Sequence, residues 1–186
     1  KVLQLLSIVV VGIAVALMLI SPELVLIFGS PKYREAVYVI PPVAASVFFI
    51  FIYNILSMPQ FYYEKTQFLM AASMAAAGAN VVLNFIFIRL FGYIAAGYTT
   101  LACYMLYSVG HYIVSKRILV NEGIQENLMS PGFLVACSVF LIGASIICNL
   151  IFPYRILRYA ILLASAGLVF WKKELLLKTM ADIRKK

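Results

Sequence analysis

Charge is what this chain has least of. Charged side chains make up 12% of its 186 residues, and only 7 of them are acidic. An average soluble domain is about 25% charged. Five stretches hold no Asp, Glu, Lys or Arg: Val2–Pro22, Ala36–Tyr63, Thr66–Ile88, Leu90–Ser115 and Asn127–Tyr154, each at least 21 residues long. A sixth, Tyr159–Trp171, is shorter. These absences remove whole classes of chemistry. With no acid inside an apolar run, the chain has no paired-carboxylate centre and a poor basis for a carboxylate cation site. Its single histidine and its three cysteines, Cys103, Cys137 and Cys148, give no metal-ligand spacing and no redox pair. The thiols sit in apolar runs and read as small core hydrophobes. A nucleophile elbow and a glycine-rich phosphate loop are both missing. No enzyme activity, cofactor or metal is expected. Nucleic-acid binding needs aromatic and basic residues on one water-facing surface, and the sequence offers none.

What the chain does have is apolar length. Hydrophobic residues reach 65%, more than a soluble core of this size can hide. A helix of ~20 apolar residues crosses ~30 Å of hydrocarbon. The runs are continuous rather than alternating, which excludes a β-barrel reading. The pattern predicts an all-α membrane protein of about six transmembrane helices. The longest polar loop, Lys116–Pro131, spans 16 residues and leaves no room for a soluble domain. The chain runs from Lys1 straight into an apolar stretch, so it reads as a piece of a longer membrane protein cut at its N-terminus. Residues 1–171 form the transmembrane unit, and 172–186 form a basic tail that can lie as a short amphipathic helix on the membrane surface.

Punctuation along the chain predicts the element ends. The first span is Val2–Ile20. Ser21-Pro22-Glu23 then reads as a fresh helix start, with a short helix Pro22–Phe28 stopped by Gly29. A second span begins outside the membrane near Pro31, enters it at Tyr38, bends at Pro41-Pro42 and ends near Ser57, before Pro59. A turn over Gln60–Thr66 leads to Phe68–Leu90. Gly92 separates this span from Tyr93–Val114, and a polar loop Ser115–Ser130 precedes Gly132–Phe152 and Tyr154–Trp171. An even number of spans puts both termini on one side, with ten basic residues against five on the other. The basic-residue bias places that side in the cytoplasm. The tail then faces anionic membrane lipids.

Polar residues inside the spans are the candidate functional groups. Ser73, Ala77, Asn80 and Asn84 fall on one stripe of a helix otherwise rich in alanine. An asparagine in hydrocarbon seeks a partner, so the stripe serves either helix packing or a watery cavity. Asn54 and the cluster Tyr98, Thr99 and Thr100 extend the list of cavity candidates. Arg89 lies away from the stripe; it snorkels to the interface or meets an anionic headgroup. Glu64 and Lys65 form a surface ion pair or a gate at the inner mouth. His111 is a structural residue near a helix end or a proton-coupling group. Gly92, Gly97 and Gly110 allow close packing and hinge freedom.

The segments SPELVLIFGSPKYREAVYVIPP, FYYEKT, ANVVLNFIFIRLFGYIAAGYTTLACY and KKELLLKTMADIRKK carry a family resemblance. The chain resembles the C-terminal part of bacterial polysaccharide-biosynthesis membrane proteins. These are the O-antigen and capsule repeat-unit flippases of the multidrug/oligosaccharidyl-lipid/polysaccharide exporter superfamily. The matching positions are Pro22, Glu23, Phe28, Gly29, Tyr33, Ala36, Asn80, Asn84, Gly92, Ala95, Ala96, Gly97, Thr99 and Thr100, within Pro22–Tyr112. The resemblance implies the C-terminal lobe of a two-lobe protein of about 12–14 helices, with an N-terminal lobe missing here. It implies alternating access in the bacterial cytoplasmic membrane. The implied cargo is an undecaprenyl-pyrophosphate-linked oligosaccharide. Three other readings stay open: a cation-coupled multidrug exporter of the same superfamily, a membrane enzyme of envelope polysaccharide assembly, and a structural membrane partner.

Overall fold

The computed structural model describes residues 2–124 and 128–171. The tail expected over 172–186 lies outside the described residues. The described chain is all helical: α1 Val2–Phe28, a 3₁₀ segment Pro31–Tyr38, α2 Ile40–Tyr62, α3 Gln67–Phe91, α4 Ala95–Asn121, α5 Pro131–Ile151 and α6 Arg155–Trp171. Four of these helices, α1, α2, α3 and α5, are long and apolar enough to cross a membrane. Their outer faces carry exposed large hydrophobics, such as Ile13 on α1, Val82 and Phe85 on α3 and Val139 on α5. Such continuous apolar exposure suits lipid and not water.

The core sits on α2, which packs against α1, α4 and α5. Ala45, Phe48, Phe49, Ile52 and Leu56 supply its buried face, and Met18, Leu101 and Leu141 meet it from the neighbouring helices. α3 leans mainly on α4 and buries none of its residues. Its middle is a run of small residues, and its large side chains, such as Met74, Val82 and Phe85, are exposed. α6 touches α1 and α5. Polar contacts tie the loops together at both ends of the bundle. At one end Arg158 of α6 meets Glu23 of α1, and the Tyr93 hydroxyl donates to Glu35 across 3.2 Å. At the other end Lys65 and Glu122 form an ion pair at 3.5 Å.

Several expected boundaries hold: the stop before Gly29, the turn at Gly92 (φ +78°) and the start at Ser130-Pro131. The proline readings need correction. α1 does not break at Ser21-Pro22 but runs through to Phe28. α2 does not stop before Pro59 but continues to Tyr62. Pro41 and Pro42 do not interrupt α2; they fall in its first turn, where the missing N–H groups have no helical partner anyway. The stretch before them is 3₁₀, with non-helical dihedrals at Tyr33, rather than the start of the span. α4 also runs past Val114 to Asn121, which shortens the expected Ser115–Ser130 loop.

Interior prolines persist in a membrane helix when neighbouring groups satisfy the carbonyls they release. Pro22 has no N–H for the Met18 carbonyl, and the Ser21 hydroxyl donates to that oxygen instead, at 2.8 Å. One residue on, the Leu19 carbonyl accepts from Arg158 Nη1 at 2.9 Å. Beside Pro59, the Leu56 carbonyl accepts from the Ser115 hydroxyl of α4. Ser21 thus meets the carbonyl that Pro22 frees from within α1, and side chains of distant helices meet the neighbouring Leu19 and Leu56 carbonyls.

Candidate functional site

α2, α3 and α4 enclose a groove of about 460 Å³. Its polar wall is Tyr53, Ser73, Asn80, Thr100, Tyr104 and Tyr107, and Ala76 and Ala77 form the narrow α3 side. The groove follows from two sequence patterns. Small residues on α3 leave space beside α4. On α4, Thr100, Tyr104, Tyr107, His111 and Ser115 recur at helical spacing and form one polar stripe. The stripe lowers the helix's apolar character, so α4 does not count as a spanning candidate by composition.

Hydrogen bonds sew α3 to α4 along the groove. The Ser73 and Tyr107 hydroxyls lie 2.6 Å apart. Thr99 donates to the Asn84 carbonyl oxygen, and the Asn84 amide donates to Asn80 Oδ1 at 2.9 Å. The Asn80 amide nitrogen has no partner among the described residues and stands at the groove wall. The two readings of the asparagine stripe thus divide by residue. Asn84 and Thr99 serve helix packing, while Asn80 and Thr100 line the groove. Tyr53 and Tyr104 add near-parallel rings, with centroids 6.4 Å apart and planes 6° apart.

The other sequence candidates stand elsewhere. Asn54 is exposed and donates to its own helix at the Ile50 carbonyl. Tyr98 points away from the groove and accepts at 2.8 Å from Asn149 of α5. Glu64 takes a left-handed conformation (φ 57°) that closes the end of α2. Glu64 makes no ion pair with Lys65; Lys65 reaches Glu122 instead. Arg89 lies over the Phe85 ring of its own helix, 3.8 Å from the centroid.

His111 is fully buried, with Tyr53, Phe68 and Tyr107 rings against it. Tyr53 and Tyr107 also line the groove, so they separate the imidazole from it. Gln60 Nε2 donates to His111 Nδ1 at 2.9 Å and to the Ser115 hydroxyl oxygen at 3.1 Å. Because the Ser115 hydrogen goes to Leu56, Ser115 can only accept from Gln60. That fixes the amide's orientation and leaves His111 Nδ1 as an acceptor. Replacing Ser115 by Ala removes the donor beside Pro59. The expected cost is about 1 kcal/mol in detergent unfolding, near the size of a membrane inter-helix hydrogen bond. Unchanged unfolding of the Ser115→Ala protein would mean that the Leu56 carbonyl does not need this donor.

Tyr107 of the groove and the Glu23–Arg158 pair were not singled out from sequence. The spacing of Tyr104, Tyr107 and His111 carried a readable signal for the first. Glu23 and Arg158 lie 135 residues apart, and no local pattern links them. Among the described residues, no group of three His, Cys, Asp or Glu side chains gathers where a metal ion would bind. Compared with family models, curated proteins and solved structures, the chain finds no match.

Proposed function

We propose that this chain is the C-terminal lobe of a flippase that carries lipid-linked oligosaccharide across the bacterial cytoplasmic membrane by alternating access. In this reading all six helices span the membrane and both termini face the cytoplasm. α4 has the length for it, at 27 residues, and turns its polar stripe toward the groove. α6, with 17 residues, is at the lower end of spanning length. The α2–α3–α4 groove is this lobe's share of the transport cavity, and the missing N-terminal lobe closes it. The basic tail meets anionic lipids.

The observation that carries the reading is the groove's chemistry. Its polar wall is made of hydroxyls, an amide and tyrosine rings, with no ionised side chain. Sugars need neutral donors and acceptors, and aromatic faces for their apolar C–H surfaces. A cation-coupled drug exporter needs a free carboxylate within a span. The only acid inside a described α-helix is Glu23, and Arg158 neutralises it. The motifs around Asn80, Asn84, Gly92 and Thr99–Thr100 support the family resemblance independently of the groove.

The test is oligosaccharide export by the full-length parent. Asn80→Leu with Thr100→Val removes two neutral polar groups from the wall without adding charge. Export is expected to fall about tenfold or more, the scale of losing one or two cargo hydrogen bonds. Asn54→Leu, on the exposed face of α2, is expected to leave export unchanged. Normal export by a correctly inserted Asn80/Thr100 variant would remove the cavity assignment.

A further inference from the structure

Three arginines converge at the Glu23 end of the bundle. They border a crevice of about 310 Å³ between the last turns of α1, the 3₁₀ segment and the first turn of α6. Arg158 is 1% exposed. Its Nη1 and Nη2 grip Glu23 as a fork, both at 2.9 Å, and the Tyr159 hydroxyl adds a third donor to the same carboxylate. Arg158 Nε is buried without a partner. Arg34 and Arg155 also border the crevice. Both are exposed, and neither has a carboxylate partner among the described residues. Glu23 offsets one of the three guanidinium charges and leaves the crevice positive. The nearest other acid in sequence, Glu35, is engaged by Tyr93. The N-terminus of α6 opens at Arg155 and adds its partial positive charge.

We propose that this crevice binds a phosphate group, with Arg34 and Arg155 contacting its oxygens and Arg158 as the positioning residue that holds the crevice's shape. Guanidinium forks match phosphate geometry and carry little hydration to lose. The depth also fits. The crevice lies at the C-terminal end of α1, a helix long enough to cross a membrane. Exposed Tyr33, Tyr154 and Tyr159 surround this end, the arrangement that marks headgroup level. The inference uses α1 and α6, not the α2–α3–α4 groove, and does not depend on any transport activity.

The phosphate can belong to a phospholipid or be free in solution, and one experiment separates these. The purified chain in detergent is titrated with phosphatidylglycerol, phosphatidylcholine or inorganic phosphate. Bound lipid is read by native mass spectrometry and phosphate binding by thermal shift. The parent is expected to retain phosphatidylglycerol in preference to phosphatidylcholine. Arg34→Gln with Arg155→Gln is expected to weaken that retention about 30-fold, the scale for two surface arginines. Arg117→Gln, an exposed arginine outside the crevice, is expected to change nothing. Stabilisation by inorganic phosphate that the double variant loses, without preference between the lipids, keeps the phosphate site and assigns it to a soluble ligand. Undiminished phosphatidylglycerol retention in the double variant, or an equal loss in Arg117→Gln, overturns the proposal. If the double variant melts below the parent without ligand, Arg34→Gln and Arg155→Gln are read singly in its place. A partial loss in each supports the site, and undiminished retention in both overturns it.

Discussion

Replacing Glu23 by Ala is expected to destabilise the bundle by about 3 kcal/mol. The argument starts from where the charges are. The Arg158 side chain is 2% exposed and that of Glu23 30%. Removing one partner of a buried pair leaves the other charge uncompensated, at a cost of about 3–5 kcal/mol. The carboxylate's partial exposure puts the effect at the lower end. A second consequence follows from the Leu19 carbonyl, which accepts from the same guanidinium beside Pro22. If Arg158 moves to find water, that carbonyl loses its donor and the α1 turn loosens with it. Arg158→Met is therefore expected to destabilise too, because it strips both the Leu19 carbonyl and the Glu23 carboxylate of their donor. The double variant Glu23→Ala with Arg158→Met should recover part of the loss, because no unpaired charge remains to desolvate. Reversible unfolding in detergent of the four proteins measures this cycle. Strict additivity would mean that the pair contributes nothing beyond its separate parts.

The same pair explains what the sequence discloses and what it hides. Spans are legible because hydrocarbon excludes charge over a continuous stretch, and a stretch is a local property. Gly29 and Gly92 are legible as stops for the same local reason. Pro22 and Pro59 read locally as breaks, yet both lie inside helices. The Leu19 and Leu56 carbonyls beside them are met by Arg158 and Ser115, which lie 139 and 59 residues away. No window of ordinary length contains both partners. The asparagine stripe on α3 was legible as a polar face. Its division between Asn84, which packs, and Asn80, which faces the groove, depends on where α4 lies. Tyr98 shows the opposite failure. It is adjacent to Thr99 and Thr100 in sequence, but one helical step of ~100° turns it toward α5.

Replacing Gly97 by Val is expected to cost about 3 kcal/mol and to force apart the α2–α4 contact on which the groove rests. Gly97 is buried where α4 crosses the start of α2. A Cβ there would stand 2.8 Å from Pro42 Cγ and 2.9 Å from the Val39 carbonyl oxygen. Pro42 is locked in its ring, and the Val39 oxygen is backbone, so neither yields by a rotamer change. Even Ala must push the helices apart, and a β-branched side chain adds two methyl groups at the same point. Overpacking of this kind typically costs about 1–3 kcal/mol. The rigid neighbours put Val at the upper end. The displacement also matters for function, because Thr100 and Tyr104 lie one and two turns further along α4, where Thr100 lines the groove and Tyr104 meets Tyr53 of α2. Gly78 is the internal control. It is likewise helical, but a Cβ there meets nothing within 4 Å, so Gly78→Val is expected to change stability by under about 1 kcal/mol, slightly in the stabilising direction, because glycine is the poorer helix former. Detergent unfolding of both variants decides the matter. Equal stability would mean that α4 does not need glycine to approach α2, and that the groove's width is set elsewhere.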